Sequence, residues 1–241
     1  MNSLRNKLDL LSVEAINHDI LTLSETWLNE TITNEHLKLP GFNPPARRDR
    51  EDGWGGVAIY VRDTIFYKER PDLSVPGLEA VWIEAKIEQE TILVGSFYRP
   101  PDSRVYYWQL IDESVKLAMS TPHKVFILGD FNSDYLNKRS HHLMNIIQLN
   151  NLTQLVNDYT RVTDETSTCI DLVMTTCENL VRDVNVLPDT FSDHKVICLK
   201  LKATSKRHSY FKRSIMVYSK LNKEKFLDDL KNANPLDIVN N

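Results

Sequence analysis

Cysteine is scarce in this chain of 241 residues, which contains only Cys169, Cys177 and Cys198. The three cysteines are widely spaced and form no C-x-x-C pair. The sequence therefore indicates neither a disulfide framework nor a zinc site built on paired cysteines. We expect buried, reduced thiols, as in an intracellular protein.

Long apolar runs are also missing from the sequence. No stretch approaches the roughly 18 apolar residues that a membrane-spanning helix needs, so we expect no association with membranes. Residues 1–7 lack the apolar stretch and the small-residue cleavage site of a signal peptide. Hydrophobic residues at 41% and charged residues at 26% are typical of a globular protein, and a chain of this length can bury one substantial core.

Negative charge is in excess in only part of the chain. Residues 1–194 contain 18 Lys and Arg residues and 29 Asp and Glu residues. Residues 195–231 contain 11 Lys and Arg residues and only 3 Asp and Glu residues. The acidic part could hold a cation, and the basic tail could contact a polyanion. The other interpretation of the tail is a solvated linker.

Hydrophobic periodicity predicts many strands with a few helices between them. This pattern fits an α/β domain in which two sheets pack face to face with helices outside. Residues 28–52 contain several prolines and are predicted to be mostly loop. The predicted helices are residues 3–17, 103–120, 139–150 and 220–231, and the predicted strands are residues 19–24, 55–62, 79–87, 91–98, 124–130, 169–175, 181–187 and 195–201.

Three short polar segments stand at the ends of predicted strands. They are residues 24–27 (SETW), 129–132 (GDFN) and 192–194 (SDH). Each alone has an ordinary explanation: a glutamate that points to water, a turn-forming Asp/Asn pair, or a capped turn with a surface histidine. A rigid sheet can bring such strand ends together at one pocket. In combination, the segments predict a site for metal and phosphate.

The order and spacing of these segments resemble the endonuclease/exonuclease/phosphatase family. The similarity extends to the endonuclease domain of non-LTR retrotransposons, which is related to apurinic/apyrimidinic endonucleases and pancreatic DNase. It covers most of residues 2–202. The further segments that carry it are residues 53–61 (GWGGVAIYV), 96–101 (SFYRPP), 159–163 (YTRVT) and 170–172 (IDL).

The resemblance implies a fold and a domain organisation. Residues 1–202 are expected to form a DNase-like α/β domain, a four-layer sandwich of two packed mixed β-sheets flanked by helices. Residues 203–241 are expected to be a basic linker with one helix, leading toward a reverse transcriptase. That polymerase domain is expected in the intact element and is absent from this chain.

The resemblance also implies a metal site and phosphate contacts. Glu25 is expected to bind a divalent cation, with Asp193 near the same cation. Hard oxygen ligands suit Mg²⁺, with Mn²⁺ as a substitute. Tyr98 is expected to donate its hydroxyl to a phosphate oxygen. Thr160 is a weaker candidate for phosphate contact, and Ser192 is one for support of the site.

Four further residues receive catalytic roles from the resemblance. Asp130 is expected to orient or deprotonate the attacking water, and Asn132 to hold water or phosphate. Asp171 is expected to hydrogen-bond His194, which fixes the tautomer of the imidazole and favours its protonated form. His194 would then stabilise charge on the scissile phosphate.

The implied activity is metal-dependent hydrolysis of a phosphodiester in DNA. The product would be a nick with a 3′-hydroxyl and a 5′-phosphate, as in retrotransposon target-site cleavage, and an active enzyme would be nuclear. One alternative is a relative that acts on phospholipid or inositol phosphate, because the same scaffold hosts those substrates. The other is a catalytically weak or inactive retroelement remnant that at most binds nucleic acid.

The sequence departs from the family at its first strand. That strand normally carries an active-site asparagine, which here would precede Met1, since Asn2 aligns with a later position. We therefore expect the first strand to be largely missing. Loss of a central strand leaves unpaired backbone groups and an open apolar slot, so we expect lower stability and weaker catalysis.

Overall fold

The computed structural model describes residues 4–137, 141–188, 192–202 and 222–232. The chain divides into two compact units, Met1–Arg207 and His208–Asn241. In the second unit the described part is a helix, Lys223–Asn232, with Glu224 in its first turn and Lys231 in its last. Both charges oppose the helix dipole and so favour the helix.

Each predicted helix and strand is present, with ends shifted by a few residues. The helices are α1 (Leu8–Glu14), α2 (Tyr106–Met119), α3 (His141–Leu149) and α4 (Lys223–Asn232). The strands are β1 (Ile20–Ser24), β2 (Ala46–Arg48), β3 (Val57–Val61), β4 (Tyr67–Glu69), β5 (Glu79–Ile87), β6 (Glu90–Tyr98), β7 (Lys124–Asp130), β8 (Thr153–Gln154), β9 (Arg161–Val162), β10 (Ser167–Thr168), β11 (Asp171–Thr175), β12 (Val181–Leu187) and β13 (Val196–Leu201). The short strands β2, β4, β8, β9 and β10 were not predicted.

The largest sheet has six strands in the order β4-β5-β6-β7-β11-β8. Its β6–β7 pair is parallel, with α2 as the connection, and its other pairs are antiparallel. Because β6 and β7 are parallel, their carboxyl ends meet at one edge of the sheet. The antiparallel strand β11 begins at the same edge, so three strand ends are brought together there.

The domain has four layers. Helices α2 and α3 cover one face of the six-stranded sheet, and the core between them includes Trp82, Phe97 and Ile111. The other face packs against strands β1-β3-β2 and β12-β13. Leu11 of helix α1 and Ala15, which directly follows it, cover the outer face of β1-β3-β2. The predicted α/β class, with packed sheets between flanking helices, is confirmed.

The second sheet layer is divided into the pieces β1-β3-β2 and β12-β13, which are both antiparallel. Strands β1 and β13 are therefore edge strands within the described residues. All of β1 is only half-buried, and so is Leu128 in the centre of β7. Within residues 4–19 the structure has helical turns and no strand.

The structure describes the state of the cysteines and the character of the helices. All three cysteines are free thiols; Cys169 and Cys198 are buried as predicted, whereas Cys177 is half-buried. Across the described ranges, no helix has the length and apolar character needed to span a bilayer.

Candidate active site

Three polar side chains lie in one row across adjacent strands. Tyr98 at the end of β6 pairs in register with Asp130 at the end of β7, and Asp130 pairs in turn with Asp171 at the start of β11. Behind this row the three strands are mostly apolar, because the sheet is covered on both faces. The sheet thus changes from core to polar site at a single edge.

A tight turn follows Asp130. Asn132 donates from its backbone nitrogen to Oδ1 of Asp130 at 2.8 Å, and from Nδ2 to the carbonyl oxygen of Arg99 at 2.9 Å. The φ angle of Asn132 is 43°, a left-handed conformation that asparagine tolerates well. Gly129 precedes the turn with φ of 150°, and a Cβ atom there would lie 1.9 Å from the carbonyl oxygen of Phe97. The Gly-Asp-x-Asn pattern therefore has a steric basis.

His194 is held by Asp171, as the sequence predicted. Nδ1 of His194 lies 2.9 Å from Oδ2 and 3.1 Å from Oδ1 of Asp171. Ser192 supports the same turn, because its Oγ accepts a hydrogen bond from the backbone nitrogen of His194 at 3.1 Å. A proton on Nδ1 donates to the carboxylate, which leaves Nε2 as the nitrogen that can act on a substrate.

Glu25 reaches the row from β1. Its Oε1 accepts a hydrogen bond of 2.5 Å from the hydroxyl of Tyr98. Glu25 and Trp27 both have φ of 53°, so the chain leaves β1 in an unusual backbone conformation. Such conformations cluster at functional sites, where the surrounding structure enforces them.

Mutual shifts in pKa show that these groups form one electrostatic cluster. Burial raises the pKa of Asp130, the charges of Asp171 and Glu25 raise it further, and His194 opposes them. Burial lowers the pKa of His194, but the hydrogen bond and charge of Asp171 outweigh it, so the net pKa is raised. Burial and the hydrogen bond to Glu25 raise the pKa of Tyr98. Glu25, Asp130 and His194 thus share one neighbourhood.

The cluster has the ligand chemistry of a metal site. Asp130, Asp171 and His194 offer ligand atoms that lie within 4.8 Å of one another. Oxygen donors at this density, with Glu25 beside them, fit a hard divalent cation. Asp193 is engaged elsewhere, because its Oδ2 lies 2.8 Å from both Nε and Nη2 of Arg161. The assignment of Glu25 and Asp193 to the cation stays a prediction.

Thr160 lies behind the site. It is fully buried, and its Oγ1 accepts hydrogen bonds from the backbone nitrogens of Ile170 and Asp171 at 3.1 and 3.0 Å. In this position the hydroxyl anchors the start of β11 and so orients Asp171. Its contact with phosphate stays a prediction.

Sequence reasoning did not single out Arg99, although it lies in the quoted segment 96–101. Arg99 is buried, and its Nη1 donates to the carbonyl oxygens of Phe131 and Asn132 at 3.4 and 3.3 Å. Its guanidinium also lies 4.6 Å from the ring centroid of Trp108. Burial lowers the pKa of Arg99. The side chain positions the turn that carries Asp130.

Glu79 is a second residue that sequence reasoning missed. Its Oε2 accepts a hydrogen bond of 2.6 Å from the backbone nitrogen of Gly56, and Nη1 of Arg50 lies 3.4 Å from Oε1. Burial raises the pKa of Glu79, although the bond from Gly56 and the charge of Arg50 oppose the rise. This buried carboxyl ties the glycine-rich loop of residues 53–56 to the sheet. Strand alternation gave no signal for it.

The fold and the polar row at the edge of its sheet define a class of protein, a hydrolase of the nuclease and phosphatase type. A model of the Endonuclease/Exonuclease/phosphatase family matches residues 1–194, so the chain belongs to that family. Enzymes of this family typically depend on a divalent metal, and the cluster at this edge supplies suitable ligands.

Solved structures with the same fold include three nucleases. The endonuclease domain of TRAS1, a telomere-specific non-LTR retrotransposon, superposes with a TM-score of 0.65 at 18% identity, covering 84% of this chain and 96% of that domain. The 3′-5′ exonuclease NExo from Neisseria meningitidis superposes with a TM-score of 0.63 at 19% identity, covering 83% of this chain and 96% of that one. An AP endonuclease from Archaeoglobus fulgidus superposes with a TM-score of 0.60 at 16% identity, covering 84% of this chain and 96% of that one. No curated protein matches the chain. At these identities the likeness shows the fold.

Proposed function

We propose that this protein is a metal-dependent DNA endonuclease that leaves a 3′-hydroxyl and a 5′-phosphate. The observation that carries the proposal is the row of Tyr98, Asp130 and Asp171, with His194 bound to the last of these. The row combines a base, a hydroxyl donor and an imidazolium at one sheet edge. In-line hydrolysis of a phosphodiester requires groups of these kinds.

Asp130 serves as the base in this proposal. It is buried, and its raised pKa brings its proton affinity closer to that needed at neutral pH. Asn132 holds the Asp130 carboxylate through its backbone nitrogen. The carboxylate is thereby positioned to orient water and to accept its proton as the water attacks phosphorus.

His194 and Tyr98 stabilise the charge that develops on the phosphate. The Asp171 carboxylate holds Nδ1 of His194, so the ring stays oriented and its raised pKa favours the imidazolium. Tyr98 brings a hydroxyl to the opposite side of Asp130. The imidazolium of His194 is already in place, whereas the Tyr98 hydroxyl, which donates to Glu25 in this structure, would turn to the phosphate. Donors held at the phosphate act on the transition state more strongly than on the ground state.

Glu25 is proposed as the main ligand of Mg²⁺, with Mn²⁺ as a substitute. Oε1 of Glu25 accepts a hydrogen bond from Tyr98, whereas Oε2 of Glu25 has no hydrogen-bond partner among the described residues. When bound, the cation supplies positive charge against the phosphate oxygens. Asp193 is proposed to lie near the same cation, with Arg161 holding its carboxylate.

DNA is the proposed substrate because similar folds are nucleases. They include the endonuclease domain of a retrotransposon, an AP endonuclease and NExo bound to a product DNA hairpin. NExo is also a 3′ phosphatase, and another protein of similar fold is a mannosyl-6-phosphatase. A phosphatase is therefore the outcome that a test must separate from an endonuclease.

The proposal is tested with supercoiled plasmid and Mg²⁺, followed by DNA ligase. An endonuclease converts the plasmid to nicked circles, and the ligase reseals them only where a 3′-hydroxyl faces a 5′-phosphate. EDTA is expected to abolish the nicking. Release of phosphate from a 3′-phosphorylated oligonucleotide without any nicking would assign a phosphatase instead.

A further inference from the structure

Two tryptophans form a pair beside the site. The rings of Trp27 and Trp54 are 4.6 Å apart between centroids and meet at 70°, edge to face. Trp27 is half-buried, but 58% of Trp54 is exposed to solvent. A large apolar ring that remains in water forgoes the stabilisation that burial would give. The exposed part of the Trp54 ring is therefore available for contact with a ligand.

The loop that carries Trp54 is firmly held. The backbone nitrogen of Trp54 donates to Oδ1 of Asp52 at 3.0 Å, and Arg50 bonds the same carboxylate through its other oxygen at 2.5 Å. Arg50 also reaches Glu79, which in turn binds Gly56. These contacts extend without a break from the backbone of Trp54 to the buried carboxyl of Glu79. Little conformational entropy would therefore be lost when a ligand meets the ring.

The pair borders the catalytic cluster. The backbone nitrogen of Trp27 donates to the carbonyl oxygen of Gly55 at 2.9 Å, and Trp27 follows Glu25 by two residues. A Cβ atom added at Gly55 would lie 3.2 Å from a ring carbon of Tyr98. The loop of residues 53–56 is thus packed against the tyrosine that binds Glu25. The loop that carries Trp54 therefore borders two residues of the proposed active site, Glu25 and Tyr98.

We infer that Trp54, backed by Trp27, is a stacking surface for an unpaired nucleobase next to the scissile phosphate. This inference rests on the proposed function, because it assigns a contact in the same substrate. Every base has a π face, so such a surface grips DNA without reading its sequence. It would hold the strand while Asp130 and His194 act on the backbone.

Binding of a fluorescein-labelled single-stranded DNA octamer in EDTA tests the inference, with anisotropy as the readout. Trp54→Ala is expected to weaken binding on the order of 10-fold, as the loss of one stacked base predicts. Trp54→Phe is expected to retain most of the affinity. Phe66→Ala is the matched control, because the Phe66 side chain is 75% exposed. The carbonyl oxygen of Phe66 accepts a hydrogen bond from the backbone nitrogen of Lys86, at the end of β5 away from Glu79. This variant is expected to bind the octamer as the wild type does.

A series of octamers with one abasic nucleotide at successive positions identifies the stacked base. At that position the wild type should lose affinity, and Trp54→Ala should lose nothing further. Equal affinity of wild type and Trp54→Ala for the intact octamer would overturn the inference, as would an equal loss in Phe66→Ala. The plasmid assay judges the proposed function separately: nicking without the Trp54 effect refutes only the stacking, and the Trp54 effect without nicking refutes only the nuclease.

Discussion

Asp130 and Asp171 lie directly opposite each other on neighbouring strands, β7 and β11. Like charges in this arrangement are destabilising. The two carboxyls differ in their partners: Asp171 binds His194, whereas Asp130 is 2% exposed and accepts hydrogen bonds from Asn132. The arrangement therefore reduces stability at the place where the proposed chemistry needs a base beside an imidazolium.

Asp130→Asn is expected to raise stability and abolish nicking. Burial and the charge of Asp171 raise the pKa of Asp130 above its ordinary 3.8, so the folded state favours the protonated carboxyl. Wild-type stability should fall as pH rises from 3.8 through the raised pKa and then level off. The amide of the variant does not titrate. In thermal melts, the melting temperature of Asp130→Asn relative to that of the wild type should therefore rise between pH 3.8 and the raised pKa. A constant difference between them would contradict the expectation.

Asp171→Asn is expected to change how nicking depends on pH. Asp171 raises the pKa of His194, so the imidazolium persists to higher pH in the wild type and activity falls only above that pKa. Without the carboxylate charge, the alkaline loss of activity should move to lower pH, and the rate should fall on the order of 100-fold. Plasmid nicking between pH 6 and 9 measures both effects. An unchanged alkaline limb would show that His194 is not the titrating group.

Glu25→Ala and Asp193→Ala are each expected to reduce nicking at least about tenfold without unfolding the protein. The two should differ in their response to metal. Glu25→Ala should require more Mg²⁺ for half-maximal nicking, because it removes the proposed ligand. Arg161→Ala should reproduce the Asp193 defect in part, since Arg161 holds that carboxylate. A wild-type rate in either acidic variant would remove that residue from the site.

Gly129→Ala is expected to prevent folding or to lower the melting temperature severely. The added Cβ would meet the carbonyl oxygen of Phe97 at 1.9 Å, and both atoms belong to the central strands. Gly77→Ala is the control, because Gly77 also has a positive φ but its nearest neighbour is Leu110 at 3.7 Å. The free energy of unfolding of Gly77→Ala should be lower than that of the wild type by only about 1–2 kcal/mol. Similar melting temperatures for the two variants would contradict the steric explanation.

The longer strands could be predicted because their local pattern and their burial agree. Strand β7 is almost wholly apolar because it lies in the centre of a covered sheet, and β5 is apolar over residues 80–83, where every residue is buried. The two-residue strands β8, β9 and β10 have no such pattern. They are defined by backbone pairing between distant segments, which a local reading of the sequence does not contain.

Much of the candidate site could also be predicted, since its residues end or begin strands. The clustering of Glu25 with Asp130 follows from that placement, whereas the Asp171–His194 bond was expected from the family resemblance. The partners of side chains in loops could not be predicted in the same way. Arg161 binds Asp193 across a gap of 32 residues, and the burial of Glu79 depends on the loop that ends at Gly56.

Plasmid nicking by wild type and His194→Ala tests the central claim most directly. The claim is that the polar row at the edge of the sheet is one metal-dependent phosphodiesterase site. His36→Ala serves as the control, because His36 lies in an exposed turn and bonds only Thr33 among the described residues. With Mg²⁺, wild type and His36→Ala should nick the plasmid, whereas His194→Ala and every EDTA sample should not. Equal nicking by His194→Ala, or nicking that survives EDTA, would contradict the claim.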